Sequence, residues 1–513
     1  MWPFALSMVS GLAWTLCFPD FEWVVLAFAA LIPLLSAIET AGVKRAFLLG
    51  LIAGLTHYLT LVYWIYYVIS YYGGLPPYLS IAILLLLAVY LSLYPACFAA
   101  LVRWGSEKGI PLFPMIPLLW TALEWIRGAF LTGFPWELLG YSLYRRLPFI
   151  QIADILGVYG VTFALVSANV ALYVLIRRRT PWRNRLLSRE VLAGILLLGS
   201  FLAYGHLRLN QMDSLTRQAP TVSVGLAQGN IRQDLKWMDE YRIQTLEIYS
   251  RLTSEAAREG AELVVWPETA APFYFEREAR LSQYLRDLAR EKGIHLLFGS
   301  PAYVHGPGGV NLYNRAFLLD PHGNTVGFYD KSHLVPYGEY VPLKTWFSFL
   351  GKIVAEVGDF VSGKTGQLLH YDGVSLGPLI CFESIFPYLS RESQRKGAKL
   401  LVNITNDAWF GKTSAPYQHF SMLVFRSVET RRFSVRAANT GISGVISATG
   451  EILEETPIFE ETVLTSEVSL LDVSTLYSRY GDSFAYLCLA GALAIFVRAS
   501  RRKPRDRRNE HVF

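Results

Sequence analysis

Seven long apolar runs before residue 210, and an eighth after a long polar stretch, constrain this chain more than any other feature. They cover roughly residues 3–18, 23–41, 46–70, 77–102, 112–131, 149–176 and 190–206, with the eighth at 483–499. A helix that crosses a bilayer needs about 20 mostly apolar residues, so the pattern predicts a polytopic α-helical membrane domain of about eight spans. Composition agrees: of 513 residues, 52% are hydrophobic and 17% charged, below the quarter charged that soluble domains carry. The first run has no basic residues ahead of it and no small-residue cleavage site before Cys17-Phe18-Pro19-Asp20. It reads as a retained helix and not as a signal peptide.

Basic residues mark cytoplasmic loops, and here they keep to one parity. Lys44 and Arg45 follow the second run, Arg103 and Lys108 the fourth, Arg177-Arg178-Arg179 the sixth, and Arg501-Arg502-Lys503 the eighth. Loops of the other parity, such as Tyr71-Tyr72-Gly73-Gly74, are nearly uncharged, Arg145-Arg146 excepted. Both termini are therefore expected in the cytoplasm, and the polar region between the seventh and eighth runs outside it. The net charge of +6 is modest for this length, and the basic residues cluster in these loops and the tail, which argues against nucleic acid as a partner. Three of the four cysteines, Cys17, Cys97 and Cys488, lie inside apolar runs and Cys381 stands alone in the polar half, so no disulfide framework is implied.

Within the fifth run, Glu124 and Arg127 are three residues apart and share a helical face. They make either a structural ion pair or a hold on a lipid headgroup. Trp136 of Gly133-Phe134-Pro135-Trp136 is either an interfacial anchor or part of a lipid-access loop.

From about residue 220 the period changes. Val222–Ala227, Leu263–Trp266, His295–Gly299, Arg315–Leu319, Thr325–Tyr329, Leu376–Ile380, Leu400–Asn403 and Ser434–Ala437 read as strands. Tyr241–Ala257, Glu276–Lys292, Tyr388–Lys396 and Gln418–Thr430 read as amphipathic helices. Asp320-Pro321-His322-Gly323-Asn324 and Ala448-Thr449-Gly450-Glu451 are turn signals. The expected organisation is a transmembrane domain over 1–210, an extracytoplasmic α/β domain over 211–475, and a last helix with a basic tail over 476–513.

Three of the strand ends carry chemistry: Glu268 after Leu263-Val264-Val265-Trp266-Pro267, Lys331 after Tyr329-Asp330, and Cys381 after Leu376-Gly377-Pro378-Leu379-Ile380. Taken singly, each has an ordinary explanation: a buried small hydrophobe, a helix-start neighbour, a solvated lysine. Taken together they complement one another. A thiol with a reference pKa of about 8.5 needs a base or a cation to activate it, and Glu268 can take its proton. Attack on an ester leaves negative charge on the carbonyl oxygen, which the Lys331 ammonium can stabilise. His333 is not needed and reads as structural.

These residues resemble the Glu-Lys-Cys triad of the nitrilase, or carbon-nitrogen hydrolase, superfamily over about residues 220–470. Flanking membrane spans narrow the resemblance to the apolipoprotein N-acyltransferases, which add the third acyl chain to bacterial lipoproteins. Gln228-Gly229-Asn230 with Lys236-Trp237, the segment from Lys331 to Pro342, and Asn406-Asp407-Ala408-Trp409-Phe410-Gly411 carry it further. The resemblance implies an α-β-β-α sandwich with Glu268 as base, Lys331 as transition-state stabiliser and Cys381 as nucleophile. It implies supporting roles for Glu339 and Glu383, and a lipid entrance flanked by Trp237 and Trp409. The implied partners are a phospholipid donor and a diacylglyceryl apolipoprotein acceptor, without cofactor or metal, in a bacterial inner membrane. A membrane-tethered amidase-type hydrolase and a scaffold with an inactive domain are the competing classes.

Overall fold

The computed structural model describes residues 1–176, 182–234, 236, 238–306, 309–340 and 359–501. Two compact units divide them. One comprises residues up to Tyr63, Tyr78–Leu209 and the chain from Tyr480 onward; the other comprises Trp64–Pro77 and Asn210–Arg479.

The first unit is helical. Among the described residues four helices are long and apolar enough to cross a membrane: Pro77–Glu107, Val158–Ile176, Arg189–Gln218 and Ser483–Ser500. A fifth is added if Val43–Leu61 is counted with Trp64–Tyr72 across the break between them. Among the described residues the expected eight are thus met only in part, and the causes are local. The first helix, Trp2–Thr15, has only 14 residues. The second run is split into a 3-10 turn, Val24–Phe28, and a short helix, Ile32–Ile38. The fifth, Leu112–Ala129, carries Pro117, Glu124 and Arg127 within it.

Glu124 and Arg127 are both buried. Glu124 accepts from the backbone N–H of Leu139 and from Thr162 Oγ1, each at 2.8 Å. Arg127 Nη1 donates to the carbonyl of Trp136 at 2.9 Å. The pair thus fastens the irregular loop that follows its own helix. Trp136 is fully buried within this unit and stacks on Phe134.

Among the described residues of the second unit, twelve strands form two six-stranded sheets. In chain order they are β1 (Thr221–Gln228), β2 (Leu263–Val265), β3 (His295–Gly306), β4 (Gly309–Leu319), β5 (Thr325–Asp330), β6 (Leu369–Tyr371), β7 (Val374–Ile380), β8 (Leu400–Thr405), β9 (Phe433–Ala438), β10 (Gly444–Ile446), β11 (Ile452–Glu455) and β12 (Thr462–Ser469). One sheet has the order β12-β1-β2-β3-β4-β5, the other β11-β10-β9-β8-β7-β6. β1, β2 and β3 are parallel, as are β7, β8 and β9. β4 is antiparallel to both β3 and β5, so β5 runs with β2.

The sheets pack face to face. Val224, Leu226, Val265 and Leu318 of one meet Leu376, Ile380, Val402 and Val435 of the other in a single apolar core. On the outer face of the first sheet, helices Asp239–Arg258 and Ala279–Lys292 bury Tyr249, Leu252, Leu285 and Ala289 against Trp266 and Phe298. Helices Pro387–Arg395 and Ala415–Thr430 cover the second sheet. The resulting α-β-β-α sandwich brings the C-terminal ends of β2, β5 and β7 to one edge. Each strand and helix expected for this domain is present; β6, β10, β11 and β12 are additional.

Candidate active site

Cys381 follows β7 directly and opens the 3-10 turn Cys381–Ile385. Its φ of +54° lies in the left-handed region, a conformation that costs a non-glycine residue about 1–3 kcal/mol and persists only where its surroundings enforce it. Glu383 is the main enforcer. Fully buried, it accepts from the N–H of Ile380 at 2.7 Å through one oxygen. Through the other it accepts from the Ser332 N–H at 2.7 Å, the Ser332 hydroxyl at 2.8 Å and the His333 N–H at 3.0 Å, and the Tyr329 hydroxyl reaches both oxygens. Hydrogen bonds contribute about 0.5–1.5 kcal/mol each, together enough to offset the strain. Glu383 therefore ties the β7 elbow to the chain leaving β5, which carries Lys331.

Lys331 is buried, and its ammonium donates to Glu339 Oε1 at 2.9 Å and Glu268 Oε1 at 3.4 Å. Burial disfavours this charge, but the Glu339 and Glu268 carboxylates outweigh burial and hold Lys331 protonated far above neutral pH. Glu339 is anchored in turn, accepting from the Val335 N–H at 2.8 Å. Glu268 Oε2 accepts from the Asn406 N–H at 3.0 Å. Asn314 Nδ2 bridges the two carboxylates, donating to Glu268 at 2.7 Å and Glu339 at 3.0 Å.

The Cys381 thiol lies in the field of these groups. Burial pushes its pKa up, the Glu268 carboxylate adds to that, and the Lys331 ammonium opposes it. The resting nucleophile is therefore a thiol, and its activation requires a base at the moment of attack. His333 is not that base: burial, then Lys331, lower it to about 4, and its ring packs on Phe386 and pairs with the Tyr388 hydroxyl.

Beneath the elbow lies a buried network of His419, Asp407 and Arg436. His419 Nε2 is 3.2 Å from the Cys381 carbonyl oxygen and 3.0 Å from Ser384 Oγ. Its Nδ1 faces Asp407 at 3.1 Å and Arg436 at 3.0 Å, and Arg436 pairs with Asp407 at 2.6 Å. Burial and the Arg436 charge lower the His419 pKa, so the ring is neutral and its Nε2–H can donate to the elbow carbonyl. Asp407 is held ionised, its burial outweighed by the Arg436 guanidinium with help from the Thr405 hydroxyl, which donates to it at 2.9 Å.

The structure thus brings Glu268, Lys331, Cys381, Glu339 and Glu383 together, and adds Asn314, Asn406, Asp407, His419 and Arg436, which sequence reasoning missed. Asn406 and Asp407 lay inside a noted motif, but nothing in their spacing pointed to Glu268 or Cys381. Trp409 is half-buried, its ring edge-on to Tyr72 at 5.2 Å. Trp237 lies outside the described residues, and Trp136 belongs to the helical unit.

Comparison with known proteins adds sequence relatives to this geometry. Residues 10–171 match the model of the apolipoprotein N-acyltransferase N-terminal domain, and residues 223–477 that of the carbon-nitrogen hydrolases. An apolipoprotein N-acyltransferase of Geobacter metallireducens is 46% identical over 504 residues, covering 98% of this chain and 96% of that one. The chain belongs to the apolipoprotein N-acyltransferase family. An apolipoprotein N-acyltransferase of Pasteurella multocida is 32% identical, covering 94% of this chain and 92% of its own. Among solved structures, an amidase from Nesterenkonia sp. is similar at 24% identity and a TM-score of 0.39, over 52% of this chain and 95% of that one. The two family matches divide an apolipoprotein N-acyltransferase into a helical part and a hydrolase-like part, and the Glu268, Lys331 and Cys381 cluster falls wholly in the second.

Proposed function

We propose that this chain transfers an acyl group from a membrane phospholipid, through a thioester on Cys381, to the free α-amino group of the diacylglyceryl-cysteine that begins an apolipoprotein. The observation that carries the reading is the convergence of a carboxylate, a buried ammonium and a strained thiol at one edge of the sandwich, in a chain that matches N-acyltransferases over nearly its full length.

Glu268 removes the thiol proton as sulfur attacks the ester carbonyl, and Lys331 stabilises the oxyanion. As the carbon–oxygen bond to glycerol breaks, Glu268 returns the proton to the departing oxygen and a lysophospholipid leaves. The acceptor amine then attacks the thioester. Its nitrogen–carbon bond forms, the carbon–sulfur bond breaks, and the amine proton passes through Glu268 to the sulfur. A thioester reacts with amines more readily than the original oxygen ester does, and a site opening to lipid limits the competing attack by water. Resemblance to the family points to phosphatidylethanolamine and its sn-1 chain as donor.

The competing hydrolase reading makes a direct prediction. Purified protein given phospholipid and a diacylglyceryl peptide with a free N-terminal amine should yield N-acyl peptide; free fatty acid with no N-acyl peptide would establish a hydrolase instead.

The catalytic domain, residues 211–475, faces the periplasm and both termini the cytoplasm, supported by the one-sided basic loops. The short or broken apolar segments Trp2–Thr15 and Val24–Ile38 belong to the crossing count of about eight on which this orientation rests. A reporter fused after Arg508 should score as cytoplasmic and one inserted near Gln218 as periplasmic. Finding both in one compartment would remove the last crossing.

A further inference from the structure

The uncharged loop around Tyr71-Tyr72-Gly73-Gly74 has so far no role. It belongs to a segment, Trp64–Pro77, that lies in sequence between two apolar helices yet packs as part of the catalytic unit. Trp64–Tyr67 is one helical turn and Val68–Tyr72 is π-helical, a rare form that recurs at functional sites.

Its contacts fall on two elements. The Tyr72 hydroxyl donates to the carbonyl of Ala408 at 3.0 Å. The Tyr67 ring lies so close to Gly411 that an added Cβ there would approach it to 2.6 Å. Trp64 packs edge-on to Phe410 at 4.9 Å, and its Nε1 donates to Gln418 Oε1 at 3.2 Å.

Both elements lead directly to the reacting groups. Ala408 is two residues beyond Asn406, whose N–H holds Glu268 Oε2 and whose side chain donates to Gln233 Oε1 at 2.6 Å. Gln418 precedes His419, which meets the carbonyl of Cys381. The arm therefore braces the loop that holds the proposed base and the helix that holds the proposed nucleophile. We infer that Trp64–Tyr72 is a positioning element of the active site, with Tyr72 setting Glu268 through Ala408 and Asn406, and Trp64 setting Cys381 through Gln418 and His419. This inference rests on the proposed acyl-transfer function.

Positioning predicts a loss in the chemical step without a loss of substrate binding. Displacing reacting groups by about 1 Å costs up to about a hundredfold in rate. The test is single-turnover acylation of full-length protein in mixed micelles of phosphatidylethanolamine and detergent, read by intact mass, for wild type, Tyr72→Phe, Trp64→Phe and the double variant. Each single variant deletes one hydrogen-bond donor and keeps an aromatic ring. The expected result is a fall of about tenfold in the limiting acylation rate for each. The double variant should fall further, with the half-saturating phospholipid concentration and the melting temperature unchanged. Unchanged rates overturn the inference, as does a higher half-saturating concentration at full rate, which would make the arm a lipid contact. A rate loss that merely follows a lowered melting temperature overturns it too. Wild-type protein that never acylates would refute the proposed function itself, a separate outcome.

Discussion

Given phospholipid and no amine acceptor, the purified chain should gain the mass of one fatty acyl group, the label should map to Cys381, and hydroxylamine should remove it. A ping-pong route must pass through such a species, and the structure favours its accumulation at this residue. Cys381 stands at the end of β7 with a φ of +54°, where the turn lifts its side chain out of the regular strand alternation. Glu383 fixes the amide before it and His419 meets its own carbonyl, so both sides of the elbow are held. The thiol is raised by burial and then by Glu268, so it stays protonated until a base acts on it, and a bound ester provides the occasion. Cys381→Ala should lose the label, and its acyl transfer should fall on the order of 10⁶-fold, as on removal of another covalent nucleophile. Changing Cys17, Cys97 and Cys488 together to alanine should leave both intact, because all three belong to the helical unit. Labelling at any of them, or transfer that survives Cys381→Ala, would end the thioester mechanism.

Much of this site was legible because its residues end strongly patterned strands. Leu263-Val264-Val265 and Leu376–Ile380 are buried on both faces, so each reads as a continuous apolar run that stops where the chemistry begins. Lys331 follows β5, whose hairpin with β4 is announced by Asp320-Pro321-His322-Gly323-Asn324. What was not legible depends on tertiary meeting. Asn314 lies within β4 as an ordinary strand residue until Glu268 and Glu339 both arrive at its amide. His419 sits on a helix with no sequence relation to Cys381, and Arg436 lies on a strand behind it. β12 mixes polar and apolar residues without clean alternation, and its partner β1 stands at the opposite end of the domain sequence. In the helical unit, hydropathy overcounted regular spans. It cannot distinguish an unbroken helix from a 3-10 turn followed by a short helix, as in Val24–Ile38, or foresee that Trp64–Pro77 leaves its apolar run to join the sandwich.

Glu268→Gln and Lys331→Ala should both be severely impaired, but in different ways. Glutamine keeps the size of Glu268 but has one acceptor oxygen where the carboxylate has two, so it keeps either the bond from Asn406 or the bonds from Asn314 and Lys331 and loses the proton acceptor. Acyl-enzyme formation should stop, because the protonated thiol cannot be activated. An acyl-enzyme prepared by other means should fail to pass its chain to an amine, because the same carboxylate must take the amine proton. Lys331→Ala leaves the base in place but removes the cation between Glu268 and Glu339. The missing oxyanion partner should cost about 2.7–4 kcal/mol, or roughly 10²–10³ in rate. The rate of single-turnover acylation measures both effects. Near-normal acylation by Lys331→Ala would assign the oxyanion to other donors, and acylation by Glu268→Gln at wild-type rate would remove Glu268 from the role of base.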